Sequence, residues 1–444
     1  MPGMRAKNLL LMVCSLVFYA FGSLTYLPLL LLSAFWNYLA GRLVARPGGR
    51  RKWIVAVAVI LNLGLLCIFK YLDFIIENLN LIPGVALTLT GIELPIGISF
   101  YTFQGMSYLL DVYRSPETGS RSFTKVLLYI SFFPQLVAGP IVRYEDVSRQ
   151  IDARTCTPEQ TAKGAVRFIQ GLTKKLLLAD TLGAAADTVF SLTASQLDFR
   201  LGWLGAVCFT LQIYFDFSGY SDMAIGLGRM FGFRFRENFD HPYAAGSVQD
   251  FWRRWHISLT SWFREYLYIP LGGNRKGRLR TWRNRLIVFF CTGLWHGASW
   301  TYVLWGLWHG GMQLLEDALV PKTKRNRPWG HIYTLLAVIL GFVLFRADTL
   351  AQAGQMFAAM FTGFTFTVES TAAFRNLFSA KLACILLLGI ICCLPVRQWA
   401  AQKCGNRGHA IAEKAVYPAA IVLLVLDILL LASSAFTPFI YFQF

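Results

Sequence analysis

Long apolar runs recur from one end of the chain to the other, at 9–21, 26–40, 53–69, 126–137, 201–213, 335–345, 382–394 and 415–432. They are continuous and do not alternate with a period of two, which predicts helices and argues against the strands of a membrane β-barrel. At about 20 residues per crossing, with shorter segments re-entrant or buried in protein, the pattern predicts roughly ten or eleven transmembrane helices. The expected fold is an all-α polytopic membrane protein with additional re-entrant and interfacial helices. The first run has the look of a signal peptide. Further apolar segments follow at once and no small-residue cleavage site closes it, so a retained first span is expected.

Polar residues break this pattern mainly between residues 94 and 311. Segments 94–114 and 133–141 are apolar but carry Pro95, Gly97, Ser99, Gln104, Pro134, Gln135 and Pro140. Such interruptions predict broken helices lining a cavity or buried in protein, with proline kinks in ordinary spans as the plainer alternative. After the run 201–213 comes YFDFSGYSD at 214–222. Six residues on a helix place Asp216 and Asp222 roughly 120° apart, which suits a structural role at a span end or around a cavity better than a shared catalytic face.

Two further stretches carry candidate chemistry. In 250–266, Trp252, Trp255, Leu259, Trp262 and Tyr266 are spaced 3, 4, 3, 4, predicting one amphipathic helix at the membrane interface with Arg253, Arg254 and Arg264 off the stripe. His256 borders that stripe. The triplets Trp295-His296-Gly297 and Trp308-His309-Gly310 lie in apolar sequence, where a titratable imidazole is costly unless it serves a site. Histidine also titrates near neutrality, which suits it to moving protons. The plainer alternative for each is an interhelical hydrogen bond. Thirteen residues rotate a continuous helix by ~220°, so His296 and His309 should face different sides.

Composition supports the membrane reading: 55% of the 444 residues are hydrophobic and 15% charged, against about 25% charged in a soluble domain. The net charge of +18 is concentrated in short connections at 42–52, 143–149, 275–285 and 322–327. These predict cytoplasmic loops and contact with anionic membrane lipids, not nucleic-acid binding. A polyanionic substrate such as coenzyme A is a second use for them. The nine cysteines form no CxxC pair and the six histidines no HExxH motif, so neither a disulfide framework nor a metal site is expected. With no long linker and no short repeat, residues 1–444 are read as one integral domain with a core at about 94–311.

These blocks resemble the membrane-bound O-acyltransferase (MBOAT) family, and within it the bacterial branch that includes the alginate O-acetylation and D-alanine-transferring teichoic-acid membrane proteins. The motifs that carry the resemblance are PIGISFYTFQ at 95–104, FPQLVAGPI at 133–141, YFDFSGYSDMAIGLGRMFGF at 214–233, ENFDHPY at 237–243, FWRRWHISLTSWFREYLYIPLGGNR at 251–275 and LWHGASWTYVLWGLWHG at 294–310. The resemblance implies helices around a central tunnel. It places the family's essential histidine at His296 and a second polar residue, some forty positions upstream, at His256. His309 and Asp216 are secondary candidates.

The implied activity is acetyl transfer from cytosolic acetyl-CoA, a substrate and not a resident cofactor, to a hydroxyl of an exported or cell-wall polysaccharide. The implied setting is the bacterial inner membrane, with an extracytoplasmic polysaccharide-modifying transferase as partner. Arg253, Arg254, Arg275 and Lys276 are the candidate contacts to the acyl donor. Two alternatives remain open: D-alanyl transfer from a carrier protein toward teichoic acid, and a transporter without chemistry, against which stands the lack of an inverted repeat. A scaffold role would leave the motifs unexplained.

Overall fold

The computed structural model describes residues 3–137, 139–321, 325, 328–433 and 437–440, except for the side chains of 397, 398 and 400–414. Among these residues every regular element is helical. Five segments are long and apolar enough to cross a membrane: Met4–Ser23, Leu27–Val44, Arg51–Leu79, Pro328–Arg346 and Ala415–Ser433. The pair Val368–Leu377 and Ala380–Cys393, bent by 67°, makes a sixth if it counts as one span. The chain is a multi-pass membrane protein. The apolar runs predicted more crossings than these six, because several runs belong to helices that are short or carry charge and lie inside the molecule. Phe199–Met230 contains Arg200, Asp216, Asp222 and Arg229, and Ile98–Arg114 is buried continuously from Ile98 to Leu109.

The outer spans meet their surroundings with large aliphatic side chains such as Leu10, Val17, Ile60, Ile421 and Leu429, as lipid-facing helices do. The interior is aromatic. Phe103 stacks on Trp262 with ring centroids 3.9 Å apart, and Phe100 and Phe103 both pack against Trp295. This cluster joins Ile98–Arg114, Phe199–Met230, Ile257–Phe263 and Arg278–His296 at one place.

Four of the predicted elements differ from the structure. Residues 250–266 form two helices, Val248–Arg254 and Ile257–Phe263, separated by His256 in a left-handed conformation at φ 44°. All five stripe residues are nevertheless buried in protein and not laid on a membrane surface. The basic stretch 275–285 is a loop only as far as Gly277, and Arg278–His296 is helical. The helix Phe199–Met230 runs straight through the expected span end, leaving Asp216 mid-helix. The interruption near Pro95 lies wholly before the helix, in irregular backbone at 94–97 that ends with Gly97 at φ 74°, after which Ile98–Arg114 is intact. Segment 133–141 does break as expected: a four-residue helix, Phe133–Leu136, gives way to irregular backbone. Of the basic cluster 322–327, only Arg325 lies within the described residues, where it pairs with Glu316 and Asp317.

The long helices are held together where glycine lets backbones touch. Pro158–Thr173 and Phe199–Met230 meet through two glycine pairs. A Cβ on Gly171 would lie 2.5 Å from the Gly219 carbonyl oxygen, and one on Gly164 would lie 2.6 Å from that of Gly226. The relation is reciprocal, at 2.7 Å from Gly219 to Gly171 and 2.6 Å from Gly226 to Gly164. Seven residues separate the two glycines on each helix, so both pairs fall on one face of a supercoiled contact. Gly171→Val should therefore force the helices apart and destabilise the protein by about 1–3 kcal/mol or more. Thermal unfolding in detergent, compared with Gly311→Ala, whose added Cβ meets nothing within 4 Å, checks this.

Candidate active site

The three central histidines are each fixed by a different local device. His296 is the last residue of Arg278–His296 and is 1% exposed. That helix and Trp300–Leu319 form a tight hairpin, because Gly293 abuts the Tyr302 carbonyl and Gly306 abuts that of Phe289. The hairpin brings Trp305 edge-on to His296 at 4.9 Å, and Phe345 closes the other side at 5.2 Å.

His256 sits in the turn between its two short helices, held by Asn238. The Asn238 backbone oxygen accepts from Ile257 N at 2.9 Å, and its Oδ1 accepts from Ser258 N at 3.1 Å and from Ser258 Oγ at 2.8 Å. Because a backbone amide must donate, Asn238 Oδ1 is an acceptor. The His256 Nδ1, 3.2 Å away, is therefore the protonated nitrogen, and Nε2 carries the lone pair. Asn238 Nδ2 in turn donates to Ser221 Oγ at 3.0 Å, which anchors the turn to Phe199–Met230. These bonds also explain the break in the predicted helix, since the first amides of Ile257–Phe263 find their acceptors on Asn238.

The imidazoles are linked through indoles. Trp295 contacts His256 at 6.0 Å and His296 at 5.0 Å, and Trp305 contacts both His296 and, at 5.3 Å, His309. His309 is fully buried against Trp252, Phe251 and Gly341. Asp216 does not join this group. It binds the buried Lys175 at 2.8 Å and accepts from Ile440 N at 2.9 Å, a structural pairing with the segment at 437–440.

Two cavities are lined by neighbours of the histidine turn; they share no lining residue, and none of His256, His296 and His309 lines either. One, of about 640 Å³, is lined by Arg253, Arg264, Arg275 and Arg285 together with Trp252, Leu259 and Thr260. Of the four basic residues expected to meet the acyl donor, Arg253 and Arg275 are here. Arg254 is tied to Asp250 and to the Asp240 carbonyl, and Lys276 lies outside the lining. The other cavity, of about 910 Å³, is lined by Tyr214, Ser218, Ser221, Asn238 and Ile257 near the turn and by the Arg167–Asp222–Lys174 ion pairs farther away. Among the described residues no three His, Cys, Asp or Glu side chains gather as a metal site.

Sequence reasoning missed Asn238 and Lys70. Lys70 reaches the carbonyls of Trp295 and His296 across more than two hundred residues of sequence. Asn238 lay inside a quoted motif, but only the fold shows its bonds.

The membrane-bound O-acyltransferase family model matches residues 114–351, which include both helix breaks and all three histidines. A probable alginate O-acetylase AlgI from Azotobacter vinelandii is 40% identical over 99% of this chain and 95% of its own length. The peptidoglycan O-acetyltransferase of Helicobacter pylori is 37% identical, covering 80% of this chain and 75% of its own. The teichoic acid D-alanyltransferase of Bacillus subtilis is 26% identical over 56% and 65%. With the family model covering more than half of its length and a near-full-length relative at 40% identity, this chain belongs to the membrane-bound O-acyltransferase family.

Proposed function

We propose that the protein transfers an acetyl group from cytosolic acetyl-CoA to a hydroxyl of an exported or cell-wall polysaccharide, in the bacterial cytoplasmic membrane. The observation that carries this reading is the pair of buried imidazoles, His256 and His296, on one indole, with a cavity holding four arginines lined by Leu259 and Thr260 of the helix that follows His256. Near-full-length similarity to alginate O-acetylases supports acetyl as the group moved, and the weaker, partial likeness to a D-alanyltransferase supports it further. An extracytoplasmic transferase is the partner that completes delivery to the polymer.

An alcohol is a weak nucleophile until a base takes its proton during attack. In this reading the acceptor oxygen attacks the thioester carbonyl carbon while His296 accepts the hydroxyl proton. The tetrahedral intermediate then collapses, the C–S bond breaks, and the departing thiolate takes that proton to leave as coenzyme A thiol. His256, held by Asn238, orients the acceptor or the thioester. The arginines bind the donor's phosphates, as guanidinium groups do. Arg253 and Arg275 therefore belong to donor binding, and the two cavities are the mouths of a central tunnel. The polar central helices cross the bilayer inside the protein, bringing the total toward ten or eleven crossings.

Detergent-purified protein should release free thiol from acetyl-CoA and leave a D-alanyl carrier protein untouched; the opposite preference sinks the acetyl reading. His296→Ala should lower this release by about 10²–10⁴-fold with the protein still monodisperse, the scale of a lost general base. Wild-type turnover in that variant would remove His296 from the chemistry. His256→Ala should cause a severe but incomplete loss. Arg275→Ala should raise the KM for acetyl-CoA several-fold at unchanged kcat, because it removes binding common to ground and transition states. A titration of initial rate against acetyl-CoA separates the two parameters.

A further inference from the structure

The helix that ends at His296 finishes inside the protein, where its last carbonyls have no water to bond. A helix leaves four such acceptors at its C-terminus. Here Gly297 turns into extended backbone, and its amide reaches the Gly293 oxygen only at 3.4 Å. The next three carbonyls are met from elsewhere. Tyr71 Oη donates to Leu294 O at 2.5 Å, and Lys70 Nζ donates to Trp295 O at 2.5 Å and to His296 O at 3.3 Å. Both donors are neighbours on the span Arg51–Leu79.

We propose that Lys70 and Tyr71 form a cap supplied by a separate span, and that this cap sets the position of His296. The proposal rests on the reading of His296 as the base. Lys70 is a positioning residue and not a catalytic one. An ammonium has three N–H donors, and its three acceptors are Trp295 O, His296 O and Ser99 Oγ, the last at 3.4 Å. None is left over for a substrate. Its positive charge lies at the negative end of the helix dipole, which favours it there. It also lies 5.9 Å from the centre of the Trp295 ring, the indole that touches both His256 and His296. One side chain thus holds the carbonyls of the Trp295-His296 pair and flanks the ring between the two imidazoles.

A catalytic group displaced by about 1 Å can lose roughly a hundredfold in rate. In detergent-purified protein releasing thiol from acetyl-CoA, Lys70→Met should therefore lower kcat by roughly ten- to a hundredfold with the KM for acetyl-CoA within about twofold. Lys70→Arg, which keeps the charge and the donors, should recover a measurable part of that loss. Tyr71→Phe, which deletes one hydroxyl, should lower kcat by about threefold through the same displacement. Unchanged kcat in Lys70→Met overturns the proposal, as does an equal fall of kcat in the Met and Arg variants when both remain monodisperse. If Lys70→Met does not fold, unchanged kcat in Tyr71→Phe overturns it. His296→Ala, assayed alongside, separates the two ideas: activity in that variant rejects the base, whereas an inactive His296→Ala with a fully active Lys70→Met rejects only the cap.

Discussion

Inside a membrane a backbone amide or carbonyl cannot fall back on water, so each helix that ends at depth must find its partners in protein. The same demand holds for helix ends buried in protein, and the candidate site of this chain is built from two of them. One lies at His256, where a helix stops and another begins, and Asn238 supplies the acceptors for the new helix. The other lies at His296, where Lys70 and Tyr71 supply the donors. The two imidazoles are held at places where regular structure stops, each by a single neighbouring segment. Site geometry and satisfaction of the backbone are therefore the same problem here.

Much of this was legible before any coordinates. The apolar runs identified a helical membrane protein, and the tryptophan-histidine pairs stood out because imidazole and indole in an apolar run need a reason. The break at His256 was not legible, since a 3, 4, 3, 4 spacing is also satisfied by two short helices whose apolar faces turn to a common core. What decides between the two is Asn238, whose amide side chain outcompetes the preceding turn for Ser258 N. A local periodicity cannot contain that information. The helical start at Arg278 was hidden in a similar way. Six basic residues between 275 and 285 look like solvated loop, yet Arg278 lies over Trp282 and Arg285 pairs with Asp317 on the neighbouring helix.

The second tryptophan-histidine-glycine triplet illustrates how little a repeated motif guarantees. His296 terminates its helix, next to a turn and within reach of Trp295. His309 sits mid-helix in Trp300–Leu319, enclosed by Phe251, Trp252 and Trp305 and pressed against Gly341. Identical triplets thus occupy a helix end and a helix interior, and only the end leaves backbone geometry free to aim a side chain.

The glycine pairs between Pro158–Thr173 and Phe199–Met230 reach beyond packing. Residues from both helices, among them Arg167 and Gln170 on one side and Ser221 and Asp222 on the other, form a wall of the larger cavity. Backbones already in contact act as a fixed gauge: the two helices cannot draw closer, and only a broken contact can part them. Any adjustment in the bore of that cavity falls instead to the side chains that line it, while the backbone behind them keeps its spacing.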